Sequence, residues 1–392
     1  MVKRCFLLKP TIAYAIHKYL GISETFIYSY LTNLKRYKLI VLTTQVTHSE
    51  QFPFRPIYDS SIIKRYSWWW FRDRLGYYLY LNKKIYFEHI LYFKYVLKQE
   101  QARLIHAHFG PQGVAMIPIK RWLKLPLITT FYGFDLTQLP RESIWNKAYQ
   151  KLFKEADLFL VEGNNLKRSL VEIGCPNGKI AIQHIGVDTE KIHFKERIFP
   201  SDGRIVILFC GRFVEKKGLI YALQALKILI SKNQRIEFRI IGDGILRDNI
   251  GAFIHENNLR PYVHLLGYQP HHVFMNELKK AHIYIQPSVT AQNGDSEGGA
   301  PTTLLEAQAS GVPVLSTNHA DIPEVVVNEK SGFLVPERDT DALAERLEYL
   351  IEHSEEWPPM GGEGRRHVEM NYSIRKEIEK LENIYDALFF KH

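Results

Sequence analysis

The chain has 392 residues, which is too long for one ordinary hydrophobic core and suits two domains of about 150–200 residues each. Hydrophobic residues make up 46% and charged residues 24% of the chain, a composition typical of soluble globular proteins. The formal net charge is +9, and no stretch approaches the ~20 apolar residues of a membrane-spanning helix, which excludes an integral helical membrane protein.

The basic excess lies entirely in the first quarter of the chain. Residues 1–100 contain 16 Lys+Arg against 6 Asp+Glu, whereas the remaining residues contain 35 against 36. This asymmetry favours a phosphate-rich or anionic-membrane partner on that side of the molecule. A solvated basic face without a partner is the alternative.

Short apolar, β-rich runs alternate with helical segments twice along the chain. The predicted strands are 5–8, 39–43, 104–108, 127–131 and 158–161, then 205–210, 237–241, 263–266, 283–286 and 313–316. Helical spacing appears between them, as at 219–231 and 302–310. Continuous apolar strands separated by helices indicate parallel sheets covered on both faces. We therefore predict an α/β fold of two doubly wound domains facing each other across a cleft.

The first predicted strand also bears on the location of the protein. The apolar run 5–8 after the basic start is too short for a secretory signal of about 7–15 apolar residues. The three cysteines, Cys5, Cys175 and Cys210, form no C-x-x-C pair and suit a reducing compartment. We expect a cytoplasmic protein, with a peripheral contact to the inner face of the plasma membrane left open.

A polar stretch at 193–204 marks the predicted domain boundary. We predict a first domain over 1–190, a second over 204–370 and a C-terminal helix over 371–392. Within the last segment, apolar residues at helical spacing predict one amphipathic helix over 372–390. This helix packs either on its own domain or back on the first one.

The segment 66–97 mixes aromatic and basic residues, including Trp68-Trp69-Trp70-Phe71. Interfacial helices use such a mixture, with rings at headgroup level and cations on anionic lipid. We predict a membrane-contact segment. A helical insertion whose aromatic side chains fill the first domain is the alternative.

The run 210–218 follows the predicted strand 205–210 and contains Gly211, Arg212 and Lys217. Strand ends line the crevice where open α/β sheets bind ligands. Arg212 can bind a diphosphate through two hydrogen-bond donors, and Lys217 can add a point charge.

Two further strand ends carry glycine. Gly242 and Gly244 indicate a tight turn, and a dinucleotide fingerprint would need another glycine where Arg247 stands, so NAD is not supported. Gly267 ends the strand 263–266, whose exit can offer backbone groups to a nucleobase.

The strongest motif is the stretch 295–307. Gly298 and Gly299 permit a tight loop against a ligand, and Pro301 suits the first turn of a helix. The N-terminus of that helix predicts a phosphate site, and the acids Glu297 and Glu306 can accept hydrogen bonds from a sugar ring and from ribose hydroxyls. A capped surface helix with an incidental acid is the alternative.

These motifs resemble those of the retaining glycosyltransferase family 4, whose members have two facing Rossmann-like domains, the GT-B fold. That family shows a Gly-Arg…Lys-Gly run, a Glu–seven residues–Glu motif leading into Leu-Leu-Glu-Ala, and a Gly-x-Pro-Val strand. The matching segments here are 211–218, 297–307 and 311–314, with weaker similarity at 23–27, 106–110, 130–135, 184–188 and 331–335. The segment 23–27 is similar to enzymes that assemble bacterial exopolysaccharide, O-antigen or colanic acid.

The resemblance implies a role for each matching residue. Catalytic roles fall to Arg212, Lys217, Glu297 and Tyr132. Donor contacts fall to Gly211, Gly242, Gly267, Gly298, Gly299, Ala300, Pro301, Thr302 and Glu306. The acceptor side comprises Ser23, Glu24, Thr25 and His108.

Two positions depart from the family pattern. Eight residues, not seven, separate Glu297 from Glu306, so either the loop bulges and Glu297 still reaches the sugar, or the Gly299 amide takes its place. Tyr132 stands where many relatives have a histidine near the reacting carbon.

No metal site is expected. His106 and His108 lie at i and i+2 of a strand and lack a third ligand at suitable spacing. Two cations and a helix dipole can neutralise a leaving diphosphate, so we expect no metal and no cofactor besides the nucleotide sugar itself.

The function implied is a retaining hexosyltransferase that uses a nucleotide-diphosphate sugar and a saccharide or polyprenyl-linked acceptor in cell-surface polysaccharide synthesis, with no nucleic-acid partner. A nucleotide-sugar epimerase of similar fold and a non-catalytic sugar- or lipid-binding protein remain the alternatives.

Overall fold

The structure, a computed structural model, describes residues 9–21, 24–63, 68, 90–230 and 235–389. The chain divides into two compact units. The first unit comprises Met1–His184 and Glu377–His392, and the second comprises Ile185–Lys376. The division along the chain falls directly after His184, and the last helix passes from the second unit to the first at Glu377.

The first unit contains a seven-stranded parallel sheet in the order β5-β3-β1-β6-β7-β8-β9. Its strands are β1 Thr11–Ala15, β3 Lys38–Thr43, β5 Ile57–Asp59, β6 Ala102–His108, β7 Leu127–Phe131, β8 Leu158–Val161 and β9 Ile180–Ile182. Two short strands, β2 Lys18–Tyr19 and β4 Gln45–Val46, form a separate pair.

Helices pack against this sheet. They span Thr25–Asn33, Ile90–Gln99, Gly110–Leu123, Phe134–Thr137, Ser143–Glu155 and Asn164–Glu172, together with most of Ile374–Phe389. Glycine allows one close approach: a Cβ on Gly113 would lie 2.4 Å from Thr129 Oγ1 of β7. The helix Gly110–Leu123 therefore packs almost directly on the strands beneath it.

The second unit contains a six-stranded parallel sheet in the order β12-β11-β10-β13-β14-β15. Its strands are β10 Ile205–Cys210, β11 Ile236–Ile241, β12 Val263–Gly267, β13 Ile283–Gln286, β14 Val314–Thr317 and β15 Gly332–Val335. Its helices are Leu219–Ile230, Arg247–Glu256, His271–Leu278, Thr302–Ala309, Ile322–Val325, Thr340–Glu352 and Trp357–Asn371. Two parallel sheets flanked by helices confirm the predicted α/β class.

Nine of the ten predicted strands have counterparts among these elements, most of them within one residue at each end. The predicted strand 5–8 lies outside the described residues. The strand between β3 and β6 is β1, which the sequence analysis missed because Thr11 and Tyr14 interrupt its apolar pattern.

The C-terminal segment differs from the single helix predicted over 372–390. One helix ends at Asn371 and the next begins at Ile374, while Phe390 lies outside the described residues. The break has a backbone cause, because Val187 accepts from Ile374 N–H and donates to the Tyr372 carbonyl. The helical register cannot continue through those groups.

The segment 66–97 lies mostly outside the described residues. Of its described part, Trp68 is exposed, and Ile90, Phe93 and Val96 are buried in the core of the first unit. The prediction of a membrane contact at 66–97 is therefore not tested. Among the helices that the structure describes, none combines the length and the apolar character needed to cross a bilayer.

Candidate functional site

Each sheet has one point where its strand order reverses, between β10 and β13 in the second unit and between β1 and β6 in the first. Open α/β sheets bind ligands beyond the carboxyl ends of the strands at such points. In both units, polar side chains named in the sequence analysis collect there.

In the second unit, Lys217 and Glu297 form the central ion pair. Lys217 follows β10, Glu297 follows β13, and Lys217 Nζ lies 2.8 Å from Glu297 Oε2. Both side chains are largely buried, with 14% and 6% of their surface exposed. The other carboxylate oxygen, Oε1, accepts a hydrogen bond of 2.7 Å from Ser288 Oγ.

These contacts decide the ionisation of Glu297. Burial acts to raise its pKa, but Lys217, Lys216 and the Ser288 hydroxyl outweigh burial and hold the pKa below its ordinary value. The side chain is therefore a carboxylate near neutral pH, suited to accepting hydrogen bonds and unsuited to acting as a general acid.

Lys216, next to Lys217, binds the two residues that precede Glu297. Its Nζ donates to Asp295 Oδ1 at 3.0 Å and to the Ser296 carbonyl at 2.8 Å. The side chain is only 8% exposed. Lys216 was not predicted from the sequence, although it stands beside Lys217, because the sequence does not show which of two neighbouring lysine side chains is buried.

His319, at the end of β14, supports the backbone of Glu297. Its Nε2 accepts from Glu297 N–H at 3.1 Å, and its Nδ1 lies 2.7 Å from Glu337 Oε1. These partners fix the tautomer with the proton on Nδ1. His319 was also missed, because 22 residues separate it from the backbone that it holds.

Arg212 and the predicted glycines Gly211, Gly242 and Gly267 lie at the carboxyl ends of β10, β11 and β12. Arg212 is exposed, and within the described residues its guanidinium makes no ion pair. Gly242 has φ +148°, and a Cβ there would lie 1.9 Å from the Gly211 carbonyl oxygen, so only glycine fits. Gly267 has φ +69° and accepts a hydrogen bond from Gly242 N–H.

The glycine-rich loop leads from Glu297 into the helix Thr302–Ala309. Gly298 has φ +81°, which only glycine adopts easily, and Gly299 and Ala300 complete the loop. Pro301 caps the helix and so lies one residue before the first turn in which it was predicted, because the helical hydrogen bonds begin at its carbonyl. Thr302 is the first helical residue.

Glu306 lies within that helix, and its side chain is 13% exposed. Its Oε1 lies 2.5 Å from Nε2 of His271, the first residue of the helix His271–Leu278. The hydrogen bond to Glu306 raises the pKa of His271 above its ordinary value, against the opposing effect of burial. His271 was not identified from the sequence, since no motif links it to Glu306.

In the first unit, His108 and Tyr132 form the corresponding pair. His108 Nδ1 lies 2.6 Å from the Tyr132 hydroxyl, and the two rings are stacked 6.0 Å apart. Behind them, His106 contacts the Tyr385 hydroxyl through Nδ1 and Thr130 Oγ1 through Nε2, both at 2.6 Å. The terminal helix thus contributes Tyr385 to this cluster.

All titratable groups of this cluster are neutral near pH 7. Burial lowers the pKa of His106 to about 3, and burial together with His106 lowers the pKa of His108 well below its ordinary value. Burial raises the pKa values of the Tyr132 and Tyr385 hydroxyls well above theirs. The cluster offers neutral donors and acceptors rather than charge.

Tyr132 is held in place by the turn that follows β7. Asp135 Oδ1 accepts from the backbone N–H groups of Tyr132 and Gly133, and Asp135 Oδ2 accepts from Gly110 N–H at 2.8 Å. The Asp135 carboxylate therefore ties the two loops that carry Tyr132 and His108.

The remaining acceptor-side residues lie at the start of the helix Thr25–Asn33. Ser23 lies outside the described residues. Glu24 accepts a hydrogen bond from Gly21 N–H at 2.8 Å, and burial raises the pKa of its carboxyl. Thr25 is exposed.

The arrangement brings Arg212, Lys217, Glu297 and Glu306 to the carboxyl end of one sheet, and His108 and Tyr132 to that of the other. Among the residues that the structure describes, no three His, Cys, Asp or Glu side chains lie together as a metal ligand set.

Two family models match consecutive parts of the chain. The model described as Glycosyltransferase Family 4 matches residues 24–191, and the model described as Glycosyl transferases group 1 matches residues 188–367. The two matches favour a glycosyltransferase over the epimerase and the binding-protein alternatives.

Relatives of similar length carry the same assignment. The chain is 33% identical to the colanic acid biosynthesis glycosyltransferase WcaL of Escherichia coli K12, over 74% of this chain and 71% of the relative. It is 32% identical to the amylovoran biosynthesis glycosyltransferase AmsK of Erwinia amylovora, over 73% and 70%.

Solved structures share the fold at low sequence identity. Anabaena HepE, solved in complex with UDP, matches with a TM-score of 0.77 at 14% identity, over 96% of this chain and all of that one. The same protein in complex with UDP-glucose matches with a TM-score of 0.75. These likenesses confirm the predicted GT-B fold.

Proposed function

The chain belongs to glycosyltransferase family 4, and from this membership we propose that it transfers a hexose from a nucleotide-diphosphate sugar to a saccharide or lipid-linked acceptor with retention of the anomeric configuration. The observation that carries the proposal is the buried Lys217–Glu297 pair at the strand-order reversal of the second unit. The named relatives support cell-surface polysaccharide synthesis as its setting.

The second unit binds the donor. Arg212 and Lys217 contact the diphosphate, and a lysine ammonium with one donor on Glu297 retains two others for phosphate oxygens. The loop Gly298–Thr302 lies against the phosphates, Gly211, Gly242 and Gly267 let the nucleotide approach the backbone, and Glu306 accepts from the ribose. The solved complexes of HepE with UDP and UDP-glucose support a uridine donor as the first to test.

Glu297 orients the hexose. Its Oε1 accepts from Ser288 Oγ and, at 3.5 Å, from Gln286 Nε2, whereas Oε2 accepts from Lys217 and keeps a lone pair for a sugar hydroxyl. A carboxylate held ionised in this way binds the sugar ring without protonating the leaving group.

The transfer proceeds on one face of the sugar. The bond from the anomeric carbon to the diphosphate oxygen breaks, the bond from that carbon to the acceptor hydroxyl oxygen forms on the same face, and the departing diphosphate takes the acceptor proton. Arg212 and Lys217 stabilise the charge that develops on the diphosphate, so the reaction needs no metal.

The first unit presents the acceptor. His108 and Tyr132 supply neutral hydrogen-bonding groups for its sugar hydroxyls, and the family pattern assigns Ser23, Glu24 and Thr25 to acceptor binding as well. A cytoplasmic enzyme that contacts the inner face of the plasma membrane through the basic first quarter of the chain would meet a polyprenyl-linked acceptor there.

Thermal unfolding tests this proposal directly. UDP, GDP, ADP and their common sugar conjugates are added in parallel samples with and without EDTA, and a rise in Tm with one nucleotide and its conjugates is expected in both. No rise with any of them would contradict the donor assignment. A rise that disappears in EDTA would contradict metal independence.

A further inference from the structure

The contact between His271 and Glu306 has no counterpart in the sequence motifs. His271 Nε2 lies 2.5 Å from Glu306 Oε1, although 35 positions separate the two residues. The contact joins the start of one helix to the second turn of another, at the edge of the sheet where β10 and β12 end.

The loop before His271 sets the position of the imidazole. Gly267 turns the chain with φ +69°, and Gln269 Nε2 donates to the Leu266 carbonyl at 2.6 Å. One helical turn after His271, Phe274 is 3% exposed and anchors the helix in the core. The backbone of His271 is therefore fixed at both ends, and the side chain reaches Glu306 from a rigid support.

Glu306 is held from the other side by its own helix. Its neighbours Leu305 and Ala307 are buried, and burial together with the Glu306 carboxylate raises the pKa of the Cys210 thiol, which places the carboxylate near the end of β10. Among the described residues, Oε1 has His271 as its hydrogen-bond partner, and Oε2 has none. The side chain of His271 is 55% exposed and that of Glu306 is 13% exposed, so the imidazole lies nearer to solvent than the carboxylate does.

His271 can bring positive charge to Glu306 through this direct contact. Two further titratable groups that interact electrostatically with the carboxylate are the Cys210 thiol, which also interacts with Lys217, and the Tyr284 hydroxyl. Burial raises the pKa of Cys210 to about 12 and that of Tyr284 well above its ordinary value, so both are neutral near pH 7. The raised pKa of His271 agrees with a pair that shares charge.

We propose that His271 is a positioning residue, which binds Glu306 Oε1 and thereby keeps Oε2 directed at a ribose hydroxyl of the bound nucleoside diphosphate. The inference rests on the proposed donor site and assigns to the pair the preference of that site for ribose over deoxyribose. A carboxylate without this contact would sample several rotamers and would lose part of the charged hydrogen bond to the ribose.

Calorimetry with the full chain tests the proposal. UDP, GDP and ADP are titrated first, and the one that binds is compared with its 2′-deoxy and 3′-deoxy forms. The wild type is expected to bind one deoxy form at least ~10-fold more weakly, as for a hydrogen bond to a charged group. In His271→Ala this preference is expected to fall to ~3-fold or less, mainly through weaker binding of the ribose form.

Two variants separate positioning from a general loss of structure. His271→Gln places an amide N–H near the position of Nε2 and should restore the preference. His272→Ala, at the exposed next residue of the same helix, should leave it unchanged. Binding of a nucleotide with the same preference in His271→Ala would overturn this inference alone. Failure of all three nucleotides to bind the wild type would overturn the proposed function and this inference together.

Discussion

The polar side chains that are buried at the two strand-order reversals are stabilised in different ways. In the second unit, Lys216 and Lys217 face Asp295 and Glu297, and all four groups are charged and paired. In the first unit, His106 and His108 form hydrogen bonds with Tyr385 and Tyr132, and Tyr14 lies 2.9 Å from the Tyr385 hydroxyl, while every group is neutral. Burial penalises the charged form in both places, but only the second unit supplies opposite charges that compensate.

The difference agrees with what each site is proposed to bind. A leaving diphosphate gains charge, so a cluster with fixed cations stabilises it more in the transition state than in the ground state. An acceptor saccharide is uncharged at its hydroxyl groups, and neutral imidazole and phenol groups can bind it without an ionic penalty. Four measurements test this difference between the two units.

The largest effect is expected from the cations of the second unit. Arg212→Ala or Lys217→Ala should lower kcat by ~10²-fold or more, because each removes a charge that stabilises the departing diphosphate. The rate of nucleoside diphosphate release measures this effect. Lys227→Ala, at an exposed lysine of the helix Leu219–Ile230, should retain the wild-type rate. Unchanged turnover in both site variants would remove the catalytic role of the charged cluster.

Lys216→Met should destabilise the second unit by about 2 kcal/mol, because Asp295 loses its buried cation while keeping its charge. The urea dependence of unfolding measures the change. Adding Asp295→Asn to Lys216→Met should recover part of the loss, since no uncompensated carboxylate then remains. Equal losses in the single and the double variant would show that packing, not charge, dominates at Lys216.

The neutral cluster of the first unit should lose stability on acidification already below pH ~6.5, whereas the Lys217–Glu297 pair, whose carboxyl pKa is also lowered, should lose it only below the ordinary pKa of a glutamate. The folded-state pKa values of His106 and His108 lie below the ordinary value, so on acidification the unfolded chain binds protons that the folded chain does not. Each histidine should lower the free energy of unfolding by up to about 1.4 kcal/mol per pH unit, from pH ~6.5 down towards its folded-state pKa.

Imidazole NMR signals and urea unfolding check this prediction between pH 7 and 5. The signals of His106 and His108 should not titrate, and His108→Asn, which keeps a polar atom near Nδ1, should flatten the pH dependence of unfolding. Titration of either ring near pH 6.5 would show that the cluster is not neutral by burial.

The smallest effect is expected from Tyr132→Phe, which removes the hydroxyl from His108 and leaves Nδ1 without its partner. A loss of about 1 kcal/mol in the free energy of unfolding is expected for one buried hydrogen bond. Tyr262→Phe, at a half-buried tyrosine of the second unit, is the matched control. A loss no larger than that of the control would mean that the His108–Tyr132 bond contributes nothing to stability.

Much of the architecture follows from local pattern. The strands β7, β8, β10 and β13 were predicted with the limits that the structure has, because buried parallel strands are continuous apolar runs bounded by polar turns. The strand β1 was not predicted, because Thr11 and Tyr14 interrupt its apolar pattern, and the break at 372–373 was not predicted, because it depends on Val187, which is distant in the sequence.

The residues of the candidate site also differ in whether a local pattern predicts them. Arg212, Lys217, Glu297 and Glu306 were found because strand ends and a glycine-rich loop leave a local signature. Lys216 and His319 were missed, since what they do is set by contacts with residues 79 and 22 positions away.

The fold class, the family and the strand ends of the candidate site could be predicted from the sequence, because periodicity and short motifs are properties of neighbouring residues. The ionisation and orientation of the groups became visible in the folded chain: Glu297 stays charged beside Lys217, His106 and His108 stay neutral, and His271 contacts Glu306. The physical reason is that burial and opposite charge act through space, and chain folding sets those distances.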